Sequence, residues 1–562
     1  MSETAAPAFA GWLDDFFAWY ARGRPVDATF IGLPGHDERL PDWSEHGLGD
    51  ALAGAETLLA RLADLPPEPL DTAEMLDRQI AAGHLRLARW ELTSSHFMRG
   101  NPSLAVGEAV FGVMSLFLRD AAGLPRRVES AVARLEAIPT FLRQARAFIG
   151  AAPVAWTERA VHECDGTLAF LSDGVERLIA DQGLTSPRLR PAAARAAAAV
   201  GTFRAALVEQ LARGPAMPPA AGADALALLI RDGHFLDEDA AAVEALGWER
   251  LAASDEKLAR QATELGYPSR QAALAALAEQ HPTTDGYLAR FGEVWDAHRA
   301  AALAHDLVGW PAWPVRYVPR PAWSRSSAPS LYFLFYRAPA ALAPPPVVDY
   351  LLAPLDPALP AAAQEQLLRA TNDSVITLNH VVHHGGLGHH VQNWYAYHAA
   401  RSRIGRVAAV DGPGRIALFA GGTMAEGWAC YATDLIEEIG FLSPLERVAQ
   451  QHSRLRMAAR AIADVRLHQG RWTLAEAAGF YRARTAMGEA AARAEAVKNS
   501  IFPGTALMYL MGTEQIHRLR AAVERREGAD FTLRRFHDRL LGLGSVPVAL
   551  AARTLLDDSP TP

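Results

Sequence analysis

Apolar residues recur at helical spacing through most of the first three hundred positions. A clear example is residues 187–214, PRLRPAAARAAAAVGTFRAALVEQLARG, in which Ala, Leu and Arg dominate. These residues are good helix formers, and their spacing places the apolar ones on one face. The pattern predicts a mainly α-helical protein, which we expect to be a large multi-helix fold around a deep cleft.

The helical pattern is interrupted most strongly between residues 310 and 350. Prolines and tryptophans there surround the aromatic run LYFLFY at 331–336. High β-propensity between turn-like flanks predicts a short strand or hairpin, and an aromatic plug in the core is the alternative. We therefore predict an N-terminal helical region (1–309), a connection with short strands (310–350) and a second helical region (351–562), together forming one continuous structural unit.

Charge and cysteine content narrow the classes of function. The 562 residues include 55 Lys and Arg against 63 Asp and Glu, a net charge of −8. Nucleic acid binding calls for a clustered positive stripe, so nucleic acid is not an expected partner. No apolar stretch has the length of a membrane helix and the N-terminus lacks a basic leader, so we expect no membrane partner and a cytoplasmic location. Two distant cysteines, Cys164 and Cys430, predict neither a disulfide framework nor a CxxC metal site.

Five of the 19 histidines lie in one short segment. Residues 380–394 read HVVHHGGLGHHVQNW and contain His380, His383, His384, His389 and His390. His380 and His384 are four residues apart and share a face if the segment is an α-helix. The glycines should bend or end that helix, so that His389 or His390 turns back toward the same point. Imidazole is the commonest metal ligand, and the cluster predicts a metal site, although any single histidine could be a core or surface residue.

A carboxylate ligand is available in the segment 421–440, GGTMAEGWACYATDLIEEIG. Glu426 stands near the start of a predicted helix and could complete the site. The same glutamate also ends a T-x-x-E capping box that begins at Thr423, in which its side chain would bond the N-cap amide. Position in the sequence does not decide between cap and ligand.

Four segments follow one another in the last third of the chain: HHGGLGHH (383–390), EGWACY (426–431), RAIADVRLHQGRW (460–472) and PGTALMYLMG (503–512). In order and spacing they resemble the bacterial family grouped as domain of unknown function 885, whose pattern is HExxPGHH, EGWAxY, R-A-x4-D-x3-H-x3-W and PGxAxxYxxG. That family is similar in its motifs to zinc metallopeptidases. The opening PVDATFIGLPGHDERLPDWS (25–44) also resembles the family, so the likeness covers most of the chain.

The resemblance implies a set of site residues. His383, His389 and Glu426 would bind one divalent metal, with His380 and His390 as alternate ligands. Asp464 would orient His468, although the two could equally form an ordinary polar pair within a helix. His468 and the phenol of Tyr509 would stabilise a substrate oxyanion, with packing as the alternative for the tyrosine. The implied metal is zinc, and a nitrogen-rich site would also suit iron or manganese.

One departure from the family pattern bears on the reaction. The residue after the first motif histidine is His384, where the pattern has the glutamate that serves as general base in metallopeptidases. We expect hydrolysis of an amide or peptide-like small substrate by a metal-activated water, with His384 or a neighbouring carboxylate as base. The alternatives are a lyase or biosynthetic metalloenzyme that uses the metal as a Lewis acid or redox centre, and a catalytically silent ligand-binding relative. Arginines such as Arg456 and Arg460 precede His468, and an inward-facing Arg460 would favour a substrate that carries a carboxylate.

Overall fold

The computed structural model describes residues 5–65, 70–118, 122–213, 217–331, 338–414 and 417–557. They are mainly helical with two short strands, so the predicted mainly α fold is confirmed at that level. The chain forms two compact units. The first contains residues 1–221, 320–345 and 410–419, and the second contains 222–319, 346–409 and 420–562. Each unit is discontinuous in sequence, whereas the three predicted segments are continuous.

The first unit is a helical body. Its α-helices are α1 (Ala5–Gly23), α2 (Pro25–Ile31), α3 (Glu45–Asp64), α4 (Thr72–Thr93), α5 (Pro102–Leu118), α6 (Leu124–Phe148), α7 (Val154–Ala169), α8 (Val175–Gln182) and α9 (Leu189–Arg213). A π-helical turn (Phe170–Gly174) joins α7 to α8, and a 3-10 turn spans Ala322–Ser324. The side chains of Ser44 and Asp71 accept the first free amides of α3 and α4, which explains where these helices begin.

The second unit carries every candidate site residue. Its α-helices are α10 (Ala223–Leu228), α11 (Ala240–Glu264), α12 (Arg270–Leu277), α13 (Tyr287–Ala304), α14 (Ala361–Ala370), α15 (His389–His398), α16 (Arg403–Val407), α17 (Gly422–Glu438), α18 (Pro444–His468), α19 (Leu474–Thr485), α20 (Glu489–Ile501), α21 (Met508–Glu527), α22 (Leu533–Gly542) and α23 (Val548–Asp557). Two π-helical segments (Leu229–Gly233 and Val375–Gly385) and a 3-10 turn (Gly528–Asp530) complete it.

The two strands belong to the second unit and form a parallel pair. β1 (Val315–Pro319) pairs with β2 (Val348–Leu352), in register from Val315 opposite Val348 to Pro319 opposite Leu352. All but the first residue of the strand predicted at 331–336 lie outside the described residues, so this strand stays a prediction. β1 and β2 therefore flank the aromatic run in sequence.

Helix α17 is the central element for the site. Every residue from Gly422 to Ile436 is buried, including the carboxylates of Glu426 and Asp434. Burying a charged group away from water is costly unless partners compensate it. The neighbouring α18 begins sharply because Pro444 starts it and Ser443 forms a capping box with Glu446. The buried polar side chains of α17 are therefore candidates for a functional site.

None of the helices in the described ranges combines the length and the apolar character that crossing a bilayer requires.

Candidate metal centre

The first half of the histidine cluster lies on a π-helix rather than an α-helix. Residues Val375–Gly385 form eleven consecutive π-helical positions, which carry His380, His383 and His384. Widened helical turns of this type are rare and occur frequently at functional sites. The sequence pattern had suggested an α-helical i, i+4 pair of His380 and His384, and the wider turn instead directs the adjacent His383 and His384 to one group.

The glycines after the π-helix are required by close packing. A Cβ on Gly385 would collide with the hydroxyl of Tyr317, and a Cβ on Gly388 would collide with the carbonyl group of His383. The backbone thus doubles back within a few residues, and α15 begins at His389. The turn brings His389 beside the π-helical histidines.

Three imidazoles converge at this turn. His383, His384 and His389 each offer a ring nitrogen, and these atoms lie within 4.8 Å of one another. Glu426 approaches from α17, with its Oε2 atom 3.2 Å from Nε2 of His383 and 3.8 Å from Nε2 of His389. The structure therefore brings together the three residues that the resemblance implied as ligands, with His384 as a fourth member.

Hydrogen bonds fix the tautomers of two of these rings. Nδ1 of His384 lies 2.6 Å from the carbonyl oxygen of Asn379, and Nδ1 of His389 lies 3.5 Å from the side-chain oxygen of Gln392. Both oxygens are acceptors, so each Nδ1 carries the proton and donates. Nε2 of each ring then holds the lone pair. This arrangement is typical of histidines that bind metals, whose second nitrogen donates to a carbonyl or carboxylate.

The charges at the site suit a cation. Burial would raise the pKa of Glu426, but the His383 and His389 rings act in the opposite direction and hold it below its usual range. Burial lowers the pKa of His389 to about 4, and burial together with the neighbouring imidazoles lowers the pKa of His384 well below its ordinary value. Neutral imidazoles beside a charged carboxylate are the protonation states that metal ligands require.

One ligand atom lacks a hydrogen bond. Glu426 Oε2 is buried and receives no hydrogen bond from the part of the chain that the structure describes. A buried carboxylate oxygen without a donor is costly, and a bound cation would compensate it. The donor set of imidazole nitrogens and one carboxylate oxygen suits zinc and also iron or manganese. The residues present therefore fit a divalent metal.

The alternate ligands face elsewhere. His380 lies with Nδ1 2.7 Å from the Tyr350 hydroxyl on β2, and His390 lies with Nε2 2.7 Å from the carbonyl oxygen of Trp313, whose ring stacks on it. Burial lowers the pKa of both rings to about 4. Neither belongs to the group of three imidazoles.

The capping box predicted at Thr423 does not form. Helix α17 starts at Gly422 with Gly421 as its N-cap and without a side-chain cap. The Thr423 hydroxyl instead accepts the amide of Val548, and Glu426 faces the imidazoles. Between the two interpretations left open by the sequence, the geometry favours the one in which Glu426 belongs to the site.

Asp464 and His468 hold the backbone of neighbouring segments. Asp464 accepts the amides of Gly504 (3.0 Å) and Leu507 (2.9 Å), and burial raises its pKa to about 7 against the effect of these donors. His468 has Nε2 3.0 Å from the carbonyl oxygen of Asn499 and 3.5 Å from Oδ1 of Asp464. Neither side chain joins the three imidazoles, so the structure does not bring these predicted catalytic residues into the cluster.

Arg460 and Tyr509 contact each other. The guanidinium of Arg460 lies 4.8 Å from the centre of the Tyr509 ring, and its Nε donates to Glu495 at 2.6 Å. Tyr509 is partly buried and packs on the core cluster that contains Cys430. The predicted roles of these two residues remain proposals.

Sequence reasoning missed the side chains that hold the glycine turn. The amide of Leu387 donates to Nε2 of His298, and its carbonyl oxygen accepts from Nε1 of Trp428 at 2.8 Å. Trp295, one turn before His298 on α13, donates to the carbonyl oxygen of Gly385. Trp428 stood inside the EGWACY motif, whereas the only signal for the α13 pair was a tryptophan and a histidine three residues apart on a helix.

The fold and this centre define a large helical protein with a candidate imidazole–carboxylate metal site. The family model described as bacterial protein of unknown function (DUF885) matches residues 25–555, and the chain belongs to this family. The family predicted from the four motifs is therefore confirmed. None of the curated proteins matches the sequence.

Two solved structures share the fold. One is described as a "putative lipoprotein of unknown function" from Shewanella oneidensis, with a TM-score of 0.76 and 20% identity, and the other as a "putative lipoprotein" from Colwellia psychrerythraea, with a TM-score of 0.77 and 17% identity. Each similarity covers 98% of this chain and 100% of the other. The description of both as lipoproteins overturns the expectation of a cytoplasmic location, which is wrong. That expectation rested on the absence of a leader and of apolar spans, and neither feature reports where a folded protein resides.

Proposed function

We propose that this protein is a metal-dependent enzyme, similar to zinc metallopeptidases, that hydrolyses an amide or peptide-like small molecule. The observation that carries the proposal is the group of three imidazole nitrogens within 4.8 Å of one another, next to a buried Glu426 oxygen that lacks a hydrogen-bond donor among the described residues. In this proposal His383, His389 and Glu426 hold one divalent metal, most simply zinc, in a cleft of a metallopeptidase-like helical fold. Three protein ligands leave a position for water or substrate.

His384 supplies the base in this reaction. A bound divalent metal would act as a Lewis acid on the substrate carbonyl and on the attacking water. The Nδ1–H of His384 is held by the Asn379 carbonyl oxygen, so Nε2 faces the other ligand atoms with its lone pair. Nε2 accepts the proton of the water as its oxygen adds to the amide carbon, and the same proton then passes to the leaving nitrogen as the C–N bond breaks.

Metal content tests the centre. Protein purified without added metal is analysed for zinc, iron and manganese, together with the variants His383→Asn, His389→Asn and Glu426→Gln. We expect about one metal ion per chain in the wild type and substoichiometric metal in each variant. His398→Asn is the matched control, because His398 is an exposed histidine on the same helix as His389 and should retain full metal content.

Activity tests the reaction. The metal-loaded protein is incubated with a pool of short peptides and acylated amino acids, and cleavage is followed by mass spectrometry. We expect cleavage by the wild type and a loss of at least 100-fold for His384→Gln, which retains metal. Stoichiometric metal without cleavage of any amide in the pool would contradict hydrolysis while leaving the metal centre intact.

A second candidate function rests on His384 itself. The family pattern places a glutamate at this position, and here an imidazole nitrogen lies within the ligand group. As a fourth ligand His384 would make the centre richer in nitrogen, which suits a lyase or biosynthetic reaction with iron or manganese. This candidate predicts that His384→Gln loses metal, whereas the hydrolase predicts that it keeps metal and loses activity.

A further inference from the structure

A cavity of about 420 Å³ lies between four helices of the second unit. Faces of α11, α18 and α21 line it together with Asp434 of α17, and it shares no lining residue with the three imidazoles and Glu426. Asp434 lies eight residues beyond Glu426, which is about 12 Å along α17. Pockets of about 300 to 1,000 Å³ are typical of small-molecule sites. The cavity is therefore a candidate ligand site separate from the candidate metal centre.

Every charged lysine, arginine, aspartate or glutamate that lines the cavity has a partner of opposite charge. The pairs are Arg250 with Glu514 at 2.6 Å, Arg454 with Asp434 at 2.6 Å, and Lys257 with Glu437 at 3.5 Å. Three cations thus face three carboxylates. A ligand with a net charge would be desolvated without a free counter-ion, whereas an uncharged ligand leaves the ion pairs intact.

The Asp434 carboxylate is held in place by three neighbours. Gln450 and Arg454 donate to its Oδ1 at 2.6 and 2.8 Å, and Nε2 of His517 donates to its Oδ2 at 2.8 Å. Burial would raise the pKa of Asp434, but Arg454 and His517 act in the opposite direction and hold it below its usual range. Each carboxylate oxygen has two lone pairs, so Oδ2 can accept a further hydrogen bond. A ligand meets an acceptor that is already oriented.

Gln451 brings an unused hydrogen-bonding group to the cavity. The residue is 2% exposed, and its Oε1 atom receives no hydrogen bond from the described part of the chain. A buried amide oxygen without a donor is unfavourable. The last torsion of a glutamine side chain is broad, so the amide can turn toward an N–H or O–H group in the cavity. The free protein therefore lacks a donor that a ligand can supply.

Donors and acceptors line the cavity together. Nine of the twelve lining residues are polar, and only Ala253, Met457 and Leu510 are apolar. Each hydroxyl group both donates and accepts, so a molecule with several hydroxyls satisfies such a lining without displacing an ion pair. A single amide offers one fixed donor side and one fixed acceptor side, and it leaves most of the lining without a partner.

We propose that this cavity binds a small uncharged molecule with several hydroxyl groups, of the sugar or polyol class. The ligand hydroxyls donate to Gln451 and Asp434 and accept from Lys257, whose ammonium group has three donors and one contact to Glu437 at 3.5 Å. The C–H groups of the ligand pack on Met457 and Leu510. This binding site goes beyond the proposed function, because it requires neither a metal nor His384.

The test compares probes of similar size in the presence of EDTA, which keeps the candidate metal centre empty. Glucose, galactose and mannitol are uncharged, glucuronate is an anion, glucosamine is a cation, and N-acetylglycinamide offers amides only. Binding to the full-length protein is detected by saturation-transfer NMR and quantified by titration calorimetry. We expect at least one of the three uncharged hydroxyl compounds to bind at least tenfold more tightly than glucuronate, glucosamine and the amide.

Gln451→Met removes the unused amide and should weaken binding of that compound at least tenfold. The variant should fold, because the lost oxygen accepts no hydrogen bond within the described chain. Gln515→Met is the matched control. Gln515 also has a buried Oε1 without a hydrogen bond from the described residues, but it does not line the cavity, so its variant should bind like the wild type.

Ala253→Trp tests the cavity without changing the core. Ala253 is an exposed lining residue, and a bulky ring there should fill the cavity and abolish binding. Ala252→Trp places the same ring on an exposed neighbour that is not among the lining residues, and it should bind like the wild type. If Gln451→Met does not fold, this pair of variants still decides.

Four results would overturn the proposal. The first is that none of the three uncharged hydroxyl compounds binds, and the second is that a charged analogue or the amide binds as tightly as they do. The third is unchanged binding in Ala253→Trp or in a folded Gln451→Met variant. The fourth is binding that appears only when zinc replaces EDTA, because the compound would then bind at the metal centre. None of these results bears on the metal content or on the hydrolysis assay, which test the proposed function separately.

Discussion

Gly427 of α17 and Gly512 of α21 lie so close together that neither position has room for a side chain. A Cβ on Gly427 would lie 2.5 Å from the carbonyl carbon of Gly512, and a Cβ on Gly512 would collide with the carbonyl oxygen of Thr423. The colliding atoms belong to backbone and cannot move aside without shifting a helix. The glycines of two separate motifs thus form one contact, which sets the height of Glu426 relative to Tyr509.

The first prediction concerns this contact. Gly427→Ala and Gly512→Ala should each lower the free energy of unfolding by about 1 to 3 kcal/mol, because overpacking forces the two helices apart. Urea denaturation measures the change. Gly479→Ala in α19 is the control, since its Cβ meets no atom within 4 Å and alanine is the better helix former. If all three variants have the same stability, the helix contact is looser than described.

The second prediction concerns the two hydrogen bonds that hold the backbone of Leu387. His298 is fully buried and accepts the Leu387 amide, while Trp428 donates to the Leu387 carbonyl oxygen. His298→Ala leaves a buried amide without an acceptor, which should cost about 1 to 3 kcal/mol of stability. Because the turn sets the distance between His383 and His389, we also expect metal affinity to fall by about 10- to 100-fold.

A conservative replacement separates support of the turn from bulk packing. His298→Gln offers a side-chain oxygen to the same amide and should recover part of the affinity for zinc, measured by competition with a chelating dye. His305→Ala, at an exposed position just beyond α13, should bind zinc like the wild type. Equal affinities for all three variants would show that His298 does not support the centre.

The local sequence pattern predicted the helices of this fold, but it did not predict contacts between residues that lie far apart in the sequence. The helical fold follows from apolar spacing. The meeting of His383, His389 and Glu426 was implied by the resemblance of the motifs to the family, because spacing alone left open His389 or His390, and cap or ligand for Glu426. The direction in which the His380 side chain points could not be predicted from the sequence. It depends on the close packing of Gly385 against Tyr317 and on the hydrogen bond between the His380 ring and Tyr350 of β2. Such contacts between distant segments leave no periodic trace in the sequence.

The role of Asp464 could not be predicted from its position in the sequence either. Its spacing of four from His468 suggested a pair that acts on substrate, whereas the carboxylate accepts two amides at the start of the PGTALMYLMG segment. Backbone amides are invisible in a sequence, so a carboxylate that supports a loop looks the same as one that orients a catalytic imidazole. The chain does contain the motif, but the partners of the Asp464 side chain could be identified only from the fold.

The third prediction is a pH dependence of stability that depends on His537. This ring is fully buried, with Nδ1 donating to the Leu307 carbonyl oxygen and Nε2 accepting the Tyr431 hydroxyl. Burial lowers its pKa from 6.5 to about 4. The unfolded state therefore takes up a proton at a higher pH than the folded state, so the stabilisation is complete above pH 6.5 and is lost as the pH falls toward 4.

Between pH 7 and pH 5 this single ring should account for a loss of about 2 kcal/mol in the free energy of unfolding. His537→Gln should therefore show a shallower decline with falling pH than the wild type in urea titrations. His305→Gln removes an exposed histidine and should keep the wild-type slope. A His537→Gln slope equal to that of the wild type would mean that the ring does not resist protonation.

The last prediction uses metal binding as a measure of stability. Zinc at about 1,000 times its Kd should stabilise the folded protein by about 4 kcal/mol, since only the folded chain brings the ligands together. EDTA should reverse the effect. Glu426→Gln should abolish the gain, because the amide provides a weaker ligand without charge, while His398→Asn should show the full increase in Tm.

Comparison of the metal-free proteins makes this test specific to the site. Without metal, the buried Glu426 carboxylate has one oxygen without a hydrogen bond among the described residues, but the His383 and His389 rings stabilise its charge. Replacing it with glutamine removes a desolvated charge and that stabilisation together, and these two effects largely offset each other. With metal, the same replacement removes a ligand. We therefore expect wild type and Glu426→Gln to unfold at similar temperatures in EDTA and to separate on addition of zinc, as followed by differential scanning calorimetry. A variant equally destabilised in both conditions would instead indicate that Glu426 supports the fold and not a metal.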